Sequence, residues 1–428
     1  MTDALFTNAR LIDPERGETP HGWLLVRQGK IADYNAGDPE SLPASCEIID
    51  CEGLCLSPGI IDIGVKVCEP GERHKESYQS ASLAALKGGI TTIVTRPDTV
   101  PAIDTPEALE FVKRRADKAS VINVLPMASL TKGRAGQEMT EIGLLADSGA
   151  VAFTDCDHVI SDSRVFLRAL TYAKSCDALV IGHPQDPSLT VGSAATSGKF
   201  ASLKGLPTVP ALAERMGLER DLILIELSDA DYHIDQITTA AALPPLQRAR
   251  EKGLRITAGV SIHHLTLNEF DIANYRTFFK VKPPLRSEDD RVAVVEAVRD
   301  GLIDIISSMH TPQDEESKRL PFVDAASGAV ALQTLLPASL RLYHSGALDL
   351  PTLFRALSLN PAKRLQINAG RFAVGAIGDI ILFDPDYPFV LNRQTLKSKC
   401  KNTPFDGHKL QGKVIGTWLS GRRAYSGT

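Results

Sequence analysis

The sequence predicts an α/β protein: a parallel (β/α)8 barrel carrying a small β-sandwich domain built from both termini. Three observations carry this reading. Between about residues 56 and 370, short apolar runs alternate with stretches of helical periodicity, and eight of the runs read as strands. Residues 1–55 and 371–428 share a different texture, strand-like runs separated by Gly, Pro, Asn and Asp. At 428 residues the chain is long enough to bury one large barrel together with a small domain.

The elements follow in order. LFTNARLID, GWLLVRQGKIADY and EIIDCEGLCLSPG alternate apolar and polar residues and open the small domain. The first barrel strand is Ile60 to Val67, a β-branched run between Pro58-Gly59 and Pro70-Gly71. Side chains alternate along a strand, so Gly64 and Lys66 are expected to point the same way, with Asp62 one step earlier. The other seven expected strands are Thr91–Val94, Val121–Leu125, Ala150–Phe153, Leu179–Gly182, Leu222–Glu226, Arg255–Ala258 and Ile303–Ile306. Segments such as Ser80–Lys87 and Thr105–Ala116 read as helices between them. Ala369–Gly375, Ile377–Asp384 and Gly412–Trp418 return to the strand texture and close the small domain. Chemistry on such a barrel sits at the carboxyl ends of its strands, so those ends decide the function.

Composition excludes several classes. A net charge of −5 with interspersed signs leaves no basic patch for nucleic acid. No apolar run approaches the ~18–20 residues that span a bilayer, and MTDALFTNAR has neither the basic nor the apolar region of a secretion signal. Seven scattered cysteines, an odd number, suit reduced thiols in a cytoplasm rather than a disulfide framework. Cys51 and Cys55 have no matching pair elsewhere and read as core thiols.

The stretch from Pro58 to Glu76 resembles the first barrel strand of the amidohydrolase superfamily, and in detail the dihydroorotase pattern PGxxDxHxHxREPGxExKE. Pro58, Gly59, Asp62, Glu69, Pro70, Gly71, Lys75 and Glu76 keep the frame. The two zinc-binding histidines are Gly64 and Lys66, and the carboxylate-binding arginine is Cys68. In the family's MPNTxP segment the asparagine is Asp98, which would add repulsion toward a substrate carboxylate. FSDD resembles Thr154–Asp157, keeping the metal-bridging aspartate as Asp155, and HCED resembles His183–Asp186, keeping the ligand His183. YHxxHxST retains His233, read here as a packed histidine, and puts Gln236 at the ligand position. IATDHAPH becomes Ile306–Gln313: the aspartate that binds metal and moves the proton is Met309, His310 is kept, and the second histidine is Gln313. In KVNPPLR the ring-contacting asparagine is Lys282. The tail Ser398–Gly407 closely resembles SKxxNTPFDG and separates the chain from hydantoinase-like relatives.

Of six metal-binding positions implied by the resemblance, only Asp155 and His183 keep a ligand type. A catalytic zinc needs three protein ligands and a water, so no cofactor is expected where active relatives hold zinc. A methionine cannot exchange a proton, and without a metal, making hydroxide costs about 12 kcal/mol more. Lys66 is expected to replace the metals as the counter-charge to Asp155. A rival soft-ligand zinc site would use Cys68, Cys156 and His183. The sequence therefore reads as a cytoplasmic dihydroorotase-like pseudoenzyme of pyrimidine biosynthesis, a homodimer and a non-catalytic scaffolding subunit for aspartate carbamoyltransferase. The alternative is an active dihydroorotase or other cyclic-amide hydrolase with an unorthodox metal site.

Overall fold

The computed structural model describes residues 3–41 and 46–427. Residues 1, 2, 42–45 and 428, which fall in the expected small domain, lie outside the described residues. Strands from the two ends of the chain form one sheet in the order Arg422–Ser426, Lys409–Leu419, Ile380–Val390, Cys55–Pro58, Asp3–Asp13, Gly17–Arg27, Lys30–Ala36, with Cys46–Asp50 parallel to Asp3–Asp13. The junction between the termini is antiparallel, with Leu382 opposite Leu56 and Ile380 opposite Pro58. The strands of both termini are thus hydrogen-bonded into one continuous sheet. Its apolar side packs Phe6 edge-on to Trp418, ring centroids 4.9 Å apart.

The middle of the chain supplies parallel strands, most of them buried on both faces, as β-branched runs flanked by helices should be. Ile60–Val65, Ile90–Thr95 and Asn123–Pro126 pair in order, and so do Val180–Gly182, Tyr232–Ile234, Ile256–Ser261 and Ile305–Ser307. Phe153 links the two groups by bridging to Ala128 and Val180. The last and first strands meet through the Ser308 N–H, which donates to Asp62 Oδ1 (2.8 Å), and the Lys66 N–H, which donates to the His310 carbonyl (2.9 Å). Ile63, Val94, Met127, Ala152, Leu179, Ile181 and Ile305 fill the interior. Tyr78–Lys87 and Pro106–Ala119 are helical as expected, capped by Ser77 and Thr105.

Three expected strands are not formed: Ala150–Phe153 is reduced to the isolated bridges of Phe153, Ala369–Gly375 is a loop with a turn, and the third is a helix. Leu222–Glu226 lies within the helix Leu212–Ser228, ended by Asp229 in the left-handed conformation. Leu218, Leu222 and Ile225 bury one face of that helix while Ile223 and Leu227 point outward, so the apolar run served two faces at helical spacing. The strand at that place in the barrel is the three-residue Tyr232–Ile234, too short to advertise a period. Among the described residues no helix is long and apolar enough to cross a membrane.

Candidate functional site

The first strand does not run straight to its end. Gly64 has φ +99°, where only glycine is at ease, and the pairing slips between Ile63 and Val65. A Cβ on Gly64 would stand 2.9 Å from Met309 Sδ, so the methionine covers the glycine and fills the space that two ligand side chains would need. Gly64 and Met309 are therefore a matched pair.

Beyond them the mouth is held by charges. Lys66 Nζ lies 3.1 Å from Asp98 Oδ2, and Arg96 Nη2 lies 2.9 Å from the same oxygen. Arg96 Nη2 also reaches to 3.6 Å from Asp157 Oδ1, which Arg134 Nη2 approaches to 3.3 Å, while Lys282 Nζ sits 3.0 Å from Asp157 Oδ2. Four cations thus surround two carboxylates beside a cavity of about 260 Å³, with Arg96 shared between the two. Burial would raise the pKa of Asp157, but Arg96 and Lys282 outweigh it and hold that carboxyl well below its ordinary value. Burial likewise disfavours the charged Arg96, yet Asp98 and Asp157 hold its guanidinium firmly protonated.

Two expectations fail here. Lys66 pairs with Asp98 and is not the counter-charge of Asp155. The Asp155 carboxylate instead accepts from the N–H groups of Leu130 and Thr131, both at 3.0 Å, and from the Thr131 hydroxyl. Burial raises its pKa and these hydrogen bonds oppose the rise. Asp155 is a staple for the loop after Met127. Nor does Asp98 present a bare charge that would repel an anion, because Lys66 and Arg96 neutralise it.

His183 Nδ1 sits 3.1 Å from Asp235 Oδ2, and its buried Nε2 has no protein partner. Asp155 and His183 border a common void of about 20 Å³ with Asp221 and Tyr232. The Asp221 carboxylate is committed to Arg220 at 2.6 Å and to the Tyr232 hydroxyl at 3.0 Å. His233 bonds Thr257 Oγ1 at 2.8 Å, and burial pulls its pKa down to about 3, so it stays neutral. Gln236 donates to the Lys282 carbonyl at 3.4 Å, and Gln313 to the Ser327 carbonyl at 2.8 Å. His310 is buried, accepting from the Ala331 N–H at 3.1 Å and lying 3.4 Å from Glu76. Cys68 and Cys156 are buried, and burial pushes both thiols up, Cys156 to about 12. A soft zinc site would need them as thiolates.

The residues present therefore do not fit the zinc of the resembling family. Asp155 is held by three hydrogen bonds from its loop, His183 and Asp235 face each other, Met309 sits on Gly64, and the Arg96 guanidinium lies beside Gly64 and Met309, two of the positions that the resemblance assigns to zinc ligands. Arg96, Arg134, Asp157 and Asp235 were not singled out from the sequence. Arg96 was findable: an arginine closing the apolar run Ile90–Thr95 must find buried partners. Arg134, far along a Lys-Gly-Arg loop, gave no such signal.

The frame residues that survive are structural. Glu214, fully buried, accepts from the N–H groups of Thr238 (2.8 Å) and Thr239 (2.9 Å) and pairs with Arg286 at 3.2 Å. Asn402 of the tail motif donates to the Gly328 carbonyl at 3.0 Å.

The chain matches the Dihydro-orotase-like family over residues 53–242 and the Amidohydrolase family over residues 223–424. It is 38% identical over 425 residues to a dihydroorotase of Wolbachia sp. subsp. Drosophila simulans (strain wRi), covering 98% of this chain and 95% of that one. It is 38% identical over 421 residues to a dihydroorotase of Syntrophus aciditrophicus, covering 98% and 99%. A dihydroorotase-like protein of Pseudomonas aeruginosa is 37% identical over 419 residues, covering 98% of each. The fold superposes on the L-hydantoinase (dihydropyrimidinase) from Arthrobacter aurescens with TM-score 0.90 at 24% identity, over 100% of this chain and 96% of that one. By full-length identity and shared fold, the chain belongs to the dihydroorotase-like amidohydrolases.

Proposed function

We propose that this protein is a pyrimidine-pathway member of its family that has lost metal-dependent ring opening and serves as a non-catalytic, scaffolding subunit for aspartate carbamoyltransferase. The observation that carries the first half is the Arg96 guanidinium between Asp98 and Asp157, at 2.9 and 3.6 Å, in the mouth where the family's metals belong. A fixed monovalent cation satisfies those carboxylates but cannot lower the pKa of water as a zinc ion does. Met309 also removes the carboxylate that would shuttle the proton. What supports the second half is retention of the whole frame, from Glu69 to Asn402, in a chain that has discarded the chemistry.

The experiment has two arms. Purified protein, with and without added Zn²⁺, is assayed for interconversion of dihydroorotate and carbamoyl-aspartate; turnover is expected to stay at background. The protein is then run on size exclusion with the aspartate carbamoyltransferase of the same organism, and one shared peak is expected. Zinc-dependent turnover that disappears in Asp155→Ala would overturn the first half, and separate elution at micromolar concentration the second.

A further inference from the structure

We propose that the barrel mouth binds a small phosphate monoester, with its phosphate held by Lys66, Arg96, Arg134 and Lys282. This rests on the reading that the mouth has exchanged metals for fixed cations, and it names the ligand of that same site. The cavity of about 260 Å³ is lined by those four cations and by three carboxylates, Asp98, Asp157 and Asp235. Asp235 is engaged by His183 Nδ1 at 3.1 Å, so among the described residues the four cations have only Asp98 and Asp157 as carboxylate partners. His263 and His264, also on the wall, add no charge, because burial draws their pKa values down to about 4 and about 3. Pairing alone needs one cation per carboxylate, and the mouth holds twice that. Three of the four depart from the patterns the chain otherwise keeps. Lys66 stands at a histidine of PGxxDxHxHxREPG, Arg96 at the methionine of MPNTxP and Lys282 at the asparagine of KVNPPLR.

The ligand's chemistry follows from how the cations are arranged. Arg96 follows the strand Ile90–Thr95, Arg134 ends the turn Lys132–Arg134, and Lys282 sits in the loop before Pro283. All three converge on the Asp157 carboxylate, at 3.6, 3.3 and 3.0 Å. Lys66 arrives from the end of the first barrel strand and meets Asp98 at 3.1 Å. A carboxylate offers two coplanar oxygens and one charge. A phosphate monoester carries about −1.5 to −2 at pH 7 on three acceptor oxygens, which suits cations arriving from four elements. Arginines meet phosphate as forks and lysines as point charges. Donor capacity is also left over, since Arg96 Nε has no hydrogen-bond partner among the described residues. The uncharged body of the ester has a place of its own. A second cavity of about 400 Å³ shares Asp157, Val281, Lys282 and Ser327 with the first. Val191, Pro283 and Pro284 give it an apolar side, and Gln185 and Ser193 a polar one. Together the two reach the ~300–1,000 Å³ usual for ligand sites.

The test is isothermal titration calorimetry of the full chain in EDTA at about 0.15 M salt, where attraction between exposed charges is screened beyond about 8 Å. The probes are ribose 5-phosphate, inorganic phosphate, ribose and carbamoyl-aspartate. Ribose 5-phosphate should bind with a dissociation constant below about 1 mM, inorganic phosphate more weakly, and ribose not detectably. Carbamoyl-aspartate, which carries two carboxylates instead of a phosphate, should bind at least ~10-fold more weakly than ribose 5-phosphate. Lys66→Met and Lys282→Asn should each weaken ribose 5-phosphate at least ~10-fold, the loss of one charge-assisted hydrogen bond. The Lys282 side chain is 46% exposed, so the ligand-free melting temperature of Lys282→Asn should stay within about 2 °C of wild type. Lys252→Gln, just past the helix Leu243–Glu251, removes an equally exposed lysine far from the mouth and should bind as wild type does. With EDTA present these titrations report on the anion site alone, whereas zinc-dependent turnover bears only on the proposed function. Ribose 5-phosphate binding no better than ribose, carbamoyl-aspartate binding as tightly as ribose 5-phosphate, or an affinity unchanged in Lys282→Asn would overturn the proposal. So would equal losses in Lys282→Asn and Lys252→Gln.

Discussion

Replacing Arg96 by methionine tests the charge ladder directly. The side chain is similar in length, so the perturbation is chiefly loss of the cation. At an effective dielectric of ~20, contacts of 2.9 Å to Asp98 and 3.6 Å to Asp157 correspond to about 6 and about 5 kcal/mol of attraction. Most of that offsets the desolvation of the three groups, and removing one member of a buried pair typically costs about 3–5 kcal/mol. Asp98 still has Lys66 at 3.1 Å, and Asp157 still has Lys282 and Arg134, so the low end, about 3 kcal/mol, is expected. The Asp98 side chain is only 4% exposed and water cannot take over. Removing the stranded charge as well should recover most of the loss, leaving Arg96→Met/Asp98→Asn about 1 kcal/mol below wild type. The assay is urea denaturation followed by circular dichroism for wild type, both single variants and the double. If Arg96→Met lies within about 1 kcal/mol of wild type, or the double equals the sum of the singles, the guanidinium does not hold the mouth together.

Three further outcomes follow from the same geometry. Gly64→Ala should cost about 2–3 kcal/mol, from positive φ and the clash with Met309; in a Met309→Ala background the steric part should vanish and about 1 kcal/mol remain, readable as a thermal-shift cycle. Asp155→Ala should destabilise by about 2–3 kcal/mol by freeing the Leu130 and Thr131 N–H groups, and hydrogen exchange should rise in that loop whether or not zinc is added. His233 has a folded pKa lowered to about 3, so the unfolded chain takes up the proton first; its share of stability is intact above pH 6.5 and lost as pH falls toward 3. Between pH 6 and 4 the wild type should therefore lose about 1.4 kcal/mol per pH unit relative to His233→Asn, measured by denaturant melts at each pH.

The barrel was legible because parallel strands buried on both faces must be apolar and bounded by turns, and Ile90–Thr95 and Ile256–Ser261 obey that rule. Leu222–Glu226 defeated it because a helix packed on one side and apolar on the other has no polar gap to betray its period. The substitutions at Gly64, Lys66, Gln236 and Met309 were visible as departures from a resembling pattern, but their consequences were not. Which carboxylate Lys66 would meet depends on where the chain turns after Gly64, and that turn depends on Met309, some 240 residues later. Long-range packing of this kind leaves no local trace.

The seam between Cys55–Pro58 and Ile380–Val390 has a consequence for the growing polypeptide. At about 5–20 residues per second, the ribosome needs tens of seconds to deliver the strand that completes the N-terminal ladder, roughly 320 residues later. Throughout that interval Cys55–Pro58 presents an unpaired edge, and nascent chains crowded on one message could zip together there. Chaperone dependence during synthesis, rather than fragility of the finished molecule, is where this architecture should be most vulnerable.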